Sequence, residues 1–231
     1  MKPEQTDYIS LTYNQFRAPE SKYPSQLVNY LVDRFKINEN SSFLEIGCGR
    51  GDFIKQFTLK GLNCYGVDRE ISAQGFSKEL EIKTCDISKD QLPFEDCYFD
   101  VVYHKSLIEH LYQPDNLMKE SFRVLKPNGK LIILTPDWIS QMKNFYEDIT
   151  HCRPYDVNSL RDALLIFGFK NIIVEKFYQL PILWKFQLLK IFSKVLQIFL
   201  TTHIARQLTA ITKIKFFRWS VELMVLGYGE K

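Results

Sequence analysis

Apolar residues along the chain switch between two spacings. Five compact runs, FLEIG (43–47), NCYGV (63–67), EIKTC (81–85), FDVVYH (99–104) and KLIILT (130–135), mostly end in Gly, Asp, Pro or a polar residue. Runs of this length predict buried strands. The stretches between them repeat every three to four residues. Residues 51–60 and 113–126 predict helices, with Leu117, Glu120–Ser121 and Val124–Leu125 recurring along the second. A helix over 22–36 (Leu27, Tyr30, Leu31, Arg34, Phe35) precedes the first strand. After the fifth strand, Asn158 or Asp156 can cap a helix that runs through LRDALLIF and stops at Gly168. NIIVEKF (171–177) predicts a sixth strand and SVELMVLGYG (220–229) a last one. Strand–helix alternation implies right-handed crossovers and a mainly parallel sheet covered on both faces, an α/β fold.

Composition narrows the class. A chain of 231 residues, 45% hydrophobic and 25% charged, suits one domain around one core. Only 10 Gly and 9 Pro beside 18 Phe and 12 Tyr argue against disorder. MKPEQTDYISLTYNQF has no apolar signal core, so no secretory leader is expected. Five scattered cysteines without a C-x-x-C pair point to reduced thiols in a cytoplasmic protein, and no His/Cys spacing suggests a zinc site. The net charge of +3 is unevenly spread: residues 176–231 hold nine basic side chains against Glu222 and Glu230, leaving the rest of the chain net acidic. No acid occurs between Lys176 and Val221, a split that points to a negatively charged partner on one side.

The strongest local signal is FLEIGCGRGDF, where Gly47, Gly49 and Gly51 follow an apolar strand and open a helix. Glycine tolerates positive φ and lets a ligand lie on bare backbone, and a helix start offers unpaired N–H groups. Alternating glycines alone would also suit a dinucleotide. The spacing G-x-G-x-G, the acid Glu45 before the loop, Asp68 ending the second strand and Asp86 after the third favour a cationic ligand with a ribose.

Taken together, FLEIGCGRGDF, YGVDRE, CDISKDQLPFEDCYFDVVYHKSLIEHL and FRVLKPNGKLIILTPD resemble the class I S-adenosylmethionine-dependent methyltransferases over residues 40–178. The nearest group acts on small molecules such as quinones, lipids and sugars. The resemblance implies a Rossmann-like, doubly wound seven-stranded sheet, mostly parallel with the last strand antiparallel. It implies S-adenosylmethionine held by Glu45, Gly47, Gly49, Gly51, Asp68, Asp86 and Ile87, with Asp68 on the ribose and Asp86 on the adenine amine. Asn128 in KPNG stands where the family often has glycine, at a turn that Asn tolerates. On this reading residues 1–38 form an N-terminal cap and helix, 40–178 the cofactor core, 179–219 a helical insertion and 220–229 the last strand.

A hydroxyl acceptor profits from a base near neutrality, and histidine is the usual one. His104, ending the fourth strand at the sheet's carboxyl edge, is the first candidate to face the methyl group. His151, in DITHCRPYD with Arg153 and Tyr155 close behind, is a second catalytic or acceptor-binding cluster; a loop pinned by Arg153 to an acid is the plainer reading. His110 in IEHL suits a positioning role, and His203 a surface one.

The insertion holds LWKFQLLKIFSKVLQIFL (183–200), in which Lys190, Ser193, Lys194, Gln197 and Thr201 share one arc of a helical wheel. Lys185, Lys190 and Lys194 interrupt it too often for a membrane span. Either its apolar arc is core against the sheet edge with solvated lysines, or basic amphipathic helices cover an acceptor site or rest on an anionic membrane. The expectation is methyl transfer to a hydroxyl of a lipid, glycolipid or saccharide, in the cytoplasm or peripherally at the inner membrane face. A soluble metabolite as acceptor, or a cofactor-binding scaffold without transfer, are the alternatives. Nucleic acid is not expected, since no binding module is recognised.

Overall fold

The computed structural model describes residues 21–70, 80–186 and 188–231. Most of the expected N-terminal cap (residues 1–20) lies outside the described residues, as does Gln187.

Seven strands form one sheet: β1 (Ser42–Ile46), β2 (Asn63–Asp68), β3 (Glu81–Thr84), β4 (Phe99–Lys105), β5 (Leu125–Pro136), β6 (Lys170–Phe177) and β7 (Met224–Glu230). Their spatial order is β3-β2-β1-β4-β5-β7-β6, and β7 runs antiparallel to both neighbours. The doubly wound sheet expected from the resemblance is therefore present. Helices α1 (Tyr23–Phe35), α2 (Asp52–Thr58), α3 (Asp115–Val124), α4 (Trp138–Gln141) and α5 (Val157–Ile166) follow the predicted positions or the turns between them. Four more, α6 (Pro181–Lys185), α7 (Leu189–Phe199), α8 (Thr202–Thr212) and α9 (Phe216–Val221), build the insertion.

Strand alternation produces two cores. Leu131 and Ile133 of β5 join Leu44, Val102, Leu117 and Leu160 on one face. Ile132 and Leu134 join Phe43, Tyr103, Leu27 and Leu31 on the other. In α1, Leu27, Leu31 and Phe35 recur every four residues and are buried, while Pro24 in the first turn supplies a preset φ. Of the two possible caps for α5, Asp156 is the one used. Its carboxylate accepts the Ser159 N–H at 2.8 Å while the Ser159 hydroxyl accepts the Asp156 N–H at 2.8 Å.

Two boundaries depart from expectation. KPNG is not a turn ahead of the fifth strand but a bulge within it: Asn128 sits at φ 64°, its N–H bonded to the Lys231 carbonyl at 3.1 Å. A side chain on Gly129 would meet the Lys126 carbonyl at 2.7 Å, so glycine is required there. The last strand starts at Met224 rather than Ser220. Ser220 and Val221 instead complete α9, where the Ser220 hydroxyl packs on that of Ser193 at 2.9 Å.

The orientation of α7 reverses the reading that its apolar arc packs on the sheet. Ser193 is fully buried, and the Gln197 amide donates to the Ser220 carbonyl at 2.7 Å and the Tyr178 hydroxyl at 3.2 Å. Part of the polar arc thus faces the protein. Ile191, Phe192, Val195, Ile198 and Phe199 face outward, between 45% and 77% exposed. Among the described residues no helix is long and apolar enough to cross a membrane.

Candidate active site

The turn after β1 is shaped by its glycines. Gly47, Gly49 and Gly51 all hold positive φ, at 72°, 50° and 83°. Gly47 and Cys48 donate to the Val67 carbonyl at 2.8 and 3.1 Å, which ties the turn to β2. The Gly49 N–H reaches the Asp68 carboxylate at 2.7 Å, and the other Asp68 oxygen accepts from the Glu70 N–H at 3.0 Å. Asp68 therefore links the glycine turn to the end of the next strand. Burial opposes the charge of Asp86, yet the hydroxyl and N–H of Ser88 and the Lys89 ammonium hold its carboxyl below the usual range.

A cleft of about 430 Å³ opens at this carboxyl edge, lined by Gly47, Gly49, Asp68, Asp86 and Ile87. Glu70, Glu109 and Asp148 add three carboxylates, against the single guanidinium of Arg69. An excess of carboxylates suits a ligand bearing ammonium and sulfonium charge and disfavours a pyrophosphate. The residues present thus fit S-adenosylmethionine. Two expected cofactor residues do not line the cleft. Gly51 is the N-cap of α2, and Glu45 lies behind the turn, 3% exposed, where burial raises its carboxyl well above the usual range.

His104 is corrected in role. It is fully buried, lines neither cavity, and neither ring nitrogen has a hydrogen-bond partner among the described residues. Strand alternation places it on the Val102 side of β4, and burial lowers its pKa to about 3, so it is a neutral packing residue. Arg153 and Tyr155 are also displaced from the site. The Arg153 guanidinium donates to the Tyr112 carbonyl at 3.2 Å on the surface. Tyr155 is 3% exposed and pairs with Asp137 in an isolated bridge, its carbonyl accepting the Trp138 N–H at 2.8 Å. These contacts hold both side chains outside the lining of the two cavities.

His151 does reach the cleft, beside His110, with ring centres 4.8 Å apart. The loop carrying it is held to the turn after β4 (Ile108–His110), since Cys152 and Arg153 donate backbone N–H groups to the Glu109 carbonyl at 2.9 and 3.0 Å. The Glu109 carboxylate is buried, accepts from the Thr135 hydroxyl at 2.9 Å, and has its pKa raised to about 7 by that burial. His110 is lowered to about 4, by burial first and by His151 second.

A second cavity of about 850 Å³ adjoins the first, sharing Ser106, Pro136, Asp148, Thr150 and His151 with it. The insertion supplies much of its far wall through Arg206, Arg218 and Trp219, joined by Glu222 directly after it. Glu222 is 2% exposed and receives both guanidiniums, Arg218 at 2.8 Å and Arg206 at closer range, while Arg206 also meets Glu147. Sequence reasoning did not find these residues. The two arginines were visible only as members of the basic stretch, and Glu222 only as the first acid after it.

Comparison with known proteins agrees with this architecture. The family model of the methyltransferase domain matches residues 13–174. A sterol 4-C-methyltransferase of Caenorhabditis elegans is 30% identical over 136 residues, covering 53% of this chain and 40% of its own length. The chain thus spans well under two thirds of that relative. A demethylmenaquinone methyltransferase of Lactobacillus johnsonii is 28% identical over 182 residues, 62% of this chain and 73% of its own. Among solved structures, a SAM-dependent methyltransferase from Archaeoglobus fulgidus superposes with a TM-score of 0.66 at 21% identity, over 97% of this chain and 100% of its own. Phosphoethanolamine N-methyltransferase 2 of Haemonchus contortus, in complex with S-adenosyl-L-methionine, gives 0.63 at 16% identity, over 99% of this chain and 61% of its own. At such identities the structures bear on the fold, and the family model covers most of the sequence. The chain belongs to the methyltransferase domain family and carries the class I S-adenosylmethionine-dependent methyltransferase fold.

Proposed function

We propose that the chain methylates a hydroxyl of a small acceptor whose polar head enters the second cavity while its apolar part stays in an anionic membrane surface, at the cytoplasmic face. The observation that carries this reading is the outward apolar face of α7. Ile191, Phe192, Val195, Ile198 and Phe199 form a contiguous arc with Lys190 and Lys194 beside it, and no acid occurs from Lys176 to Val221. A helix with that pattern lies in the interface, its apolar face among acyl chains and its lysines near anionic headgroups. Relatives named for sterol, demethylmenaquinone and phosphoethanolamine acceptors fit a lipid or headgroup substrate.

Bound in the first cleft, S-adenosylmethionine supplies a methyl group on a positively charged sulfur. Gly47, Gly49, Asp68, Asp86 and Ile87 would hold it there. The chain's own part is to orient the acceptor and exclude water, which is a proximity effect. Arg206, Arg218, Glu147 and Glu222 present a polar wall suited to a hydroxylated or phosphate-bearing head, and His151 stands where the two cavities meet. That same polar wall supports a second reading, a soluble polar metabolite with the insertion acting only as a wall.

Calorimetry with S-adenosylmethionine should give a one-site binding isotherm, and NAD should give none. Absence of heat with S-adenosylmethionine would refute the cofactor assignment. Co-sedimentation with anionic vesicles separates the two acceptor readings: binding that weakens with salt supports the membrane, and no binding at low salt leaves the soluble metabolite.

A further inference from the structure

We propose that Glu109, His110 and His151 form a binding site for one divalent transition-metal ion, zinc(II) or a close analogue, in the wall between the two cavities. One ligand atom from each residue lies within 4.8 Å of the others. Zinc sites hold nitrogen and oxygen donors at about 2.0–2.2 Å from the metal, so ligands stand roughly 3–3.5 Å apart. Binding a metal would draw the three donors together from that spread.

The hydrogen bonds around the rings prepare them as ligands. The Phe145 carbonyl can only accept, so His151 Nδ1, 2.6 Å away, carries the proton and Nε2 holds the lone pair. The Thr150 hydroxyl spends its single proton on the Asp148 carboxylate at 2.6 Å, so it accepts from His110 Nδ1 at 2.8 Å. His110 Nε2 is then the lone-pair nitrogen as well. Metal-bound histidines are fixed in this way, by a carbonyl, or by a carboxylate reached through a hydroxyl, on the far nitrogen. The third donor is the Glu109 carboxylate, fully buried, with one oxygen on Thr135 and the other without a hydrogen-bond partner among the described residues. An unpartnered buried carboxylate oxygen is costly, and a cation beside it removes that cost.

Two imidazoles and one carboxylate select zinc or cobalt over magnesium or calcium, which prefer oxygen donors. The spacing of the sequence conceals the set, because the structure brings His151 back across 41 positions to His110. His151 lines both cavities, so a cation held there has the acceptor's side open for a further ligand. Resting on the proposed function, that ligand is the acceptor hydroxyl, whose acidity the cation would increase.

The test uses chelator-treated full-length protein titrated with cobalt(II) and followed by visible absorption. Wild type should saturate at one equivalent, and zinc(II) should displace the cobalt. His110→Ala and His151→Ala should each weaken cobalt binding at least tenfold, whereas the exposed His203→Ala should not. Proton NMR of wild type provides a second readout that needs no variant: diamagnetic zinc(II) should shift the imidazole signals of His110 and His151 and spare that of the exposed His203. No saturable cobalt spectrum in wild type, unaltered binding in both alanine variants, or unshifted His110 and His151 signals would each overturn the proposal. S-adenosylmethionine calorimetry on the same samples separates the two ideas. Cofactor heat without cobalt binding sinks the metal site alone, and cobalt binding without cofactor heat sinks the functional reading alone.

Discussion

Replacing Phe192, Ile198 and Phe199 of α7 together by Gln asks what their outward face is for. These side chains are 64%, 77% and 75% exposed in the folded chain. Full burial of such a side chain contributes about 1.5–3 kcal/mol, so removing the exposed portion from water gives roughly 1–2 kcal/mol each and about 3–6 kcal/mol for three. At ~1.4 kcal/mol per tenfold, the triple variant should bind vesicles two to four orders of magnitude more weakly. Glutamine keeps helix propensity close to that of the residues it replaces, so α7 itself should persist. The assay is co-sedimentation with phosphatidylglycerol-containing vesicles over a lipid titration, read beside thermal melting and cofactor calorimetry. The expected result is lost partitioning with melting temperature and cofactor affinity unchanged. Partitioning equal to wild type would refute the membrane reasoning. A collapse of the melting temperature would refute the orientation itself, since core truncations cost about 2–5 kcal/mol each.

The opposite side of the same helix should behave in reverse. Ser193→Leu forces a larger side chain against Ser220 and should destabilise the fold by about 1–3 kcal/mol in urea denaturation, with vesicle binding retained by the folded fraction. Gly47→Ala adds a Cβ at φ 72° that would stand 3.0 Å from Leu107 in the cleft wall. The αL conformation costs a non-glycine residue about 1–2 kcal/mol, and cofactor affinity measured by calorimetry should fall at least tenfold. Asp156→Ala removes the cap of α5 and should cost about 1 kcal/mol at pH 7. The Ser159 N–H and hydroxyl hold the Asp156 carboxyl below its usual value, so the cap's contribution is present above about pH 4. It is lost as pH falls through the depressed folded value, and the gap between wild type and variant in chemical denaturation should close on acidification.

What the chain reveals in advance is what neighbours in sequence decide. FLEIG and KLIILT declare strands because their burial on both faces needs only local apolar runs. The glycine turn declares itself because positive φ at Gly47, Gly49 and Gly51 is a property of each residue. Long-range packing is silent in comparison. Periodicity located the polar arc of α7, but which arc turns inward is decided by Ser220, 27 positions from Ser193. His104 has the position of an active-site residue, at the carboxyl end of a strand, and only strand alternation in the folded sheet turns it into the core. Arg206 and Arg218 read as surface charge until Glu222, buried at the end of α9, is seen to gather both.

Phe177 and Met224 are register partners at the ends of β6 and β7. The whole helical insertion therefore departs from and returns to one rung of the ladder, as the loop of an enlarged hairpin. Closing such a loop costs only ~0.6 kcal/mol more for each doubling of its length. Its length is therefore only weakly constrained by the strands that carry the cofactor cleft. If the insertion meets the acceptor as proposed, acceptor preference would diverge by exchange of this one segment, and chimaeras between relatives have a natural seam here.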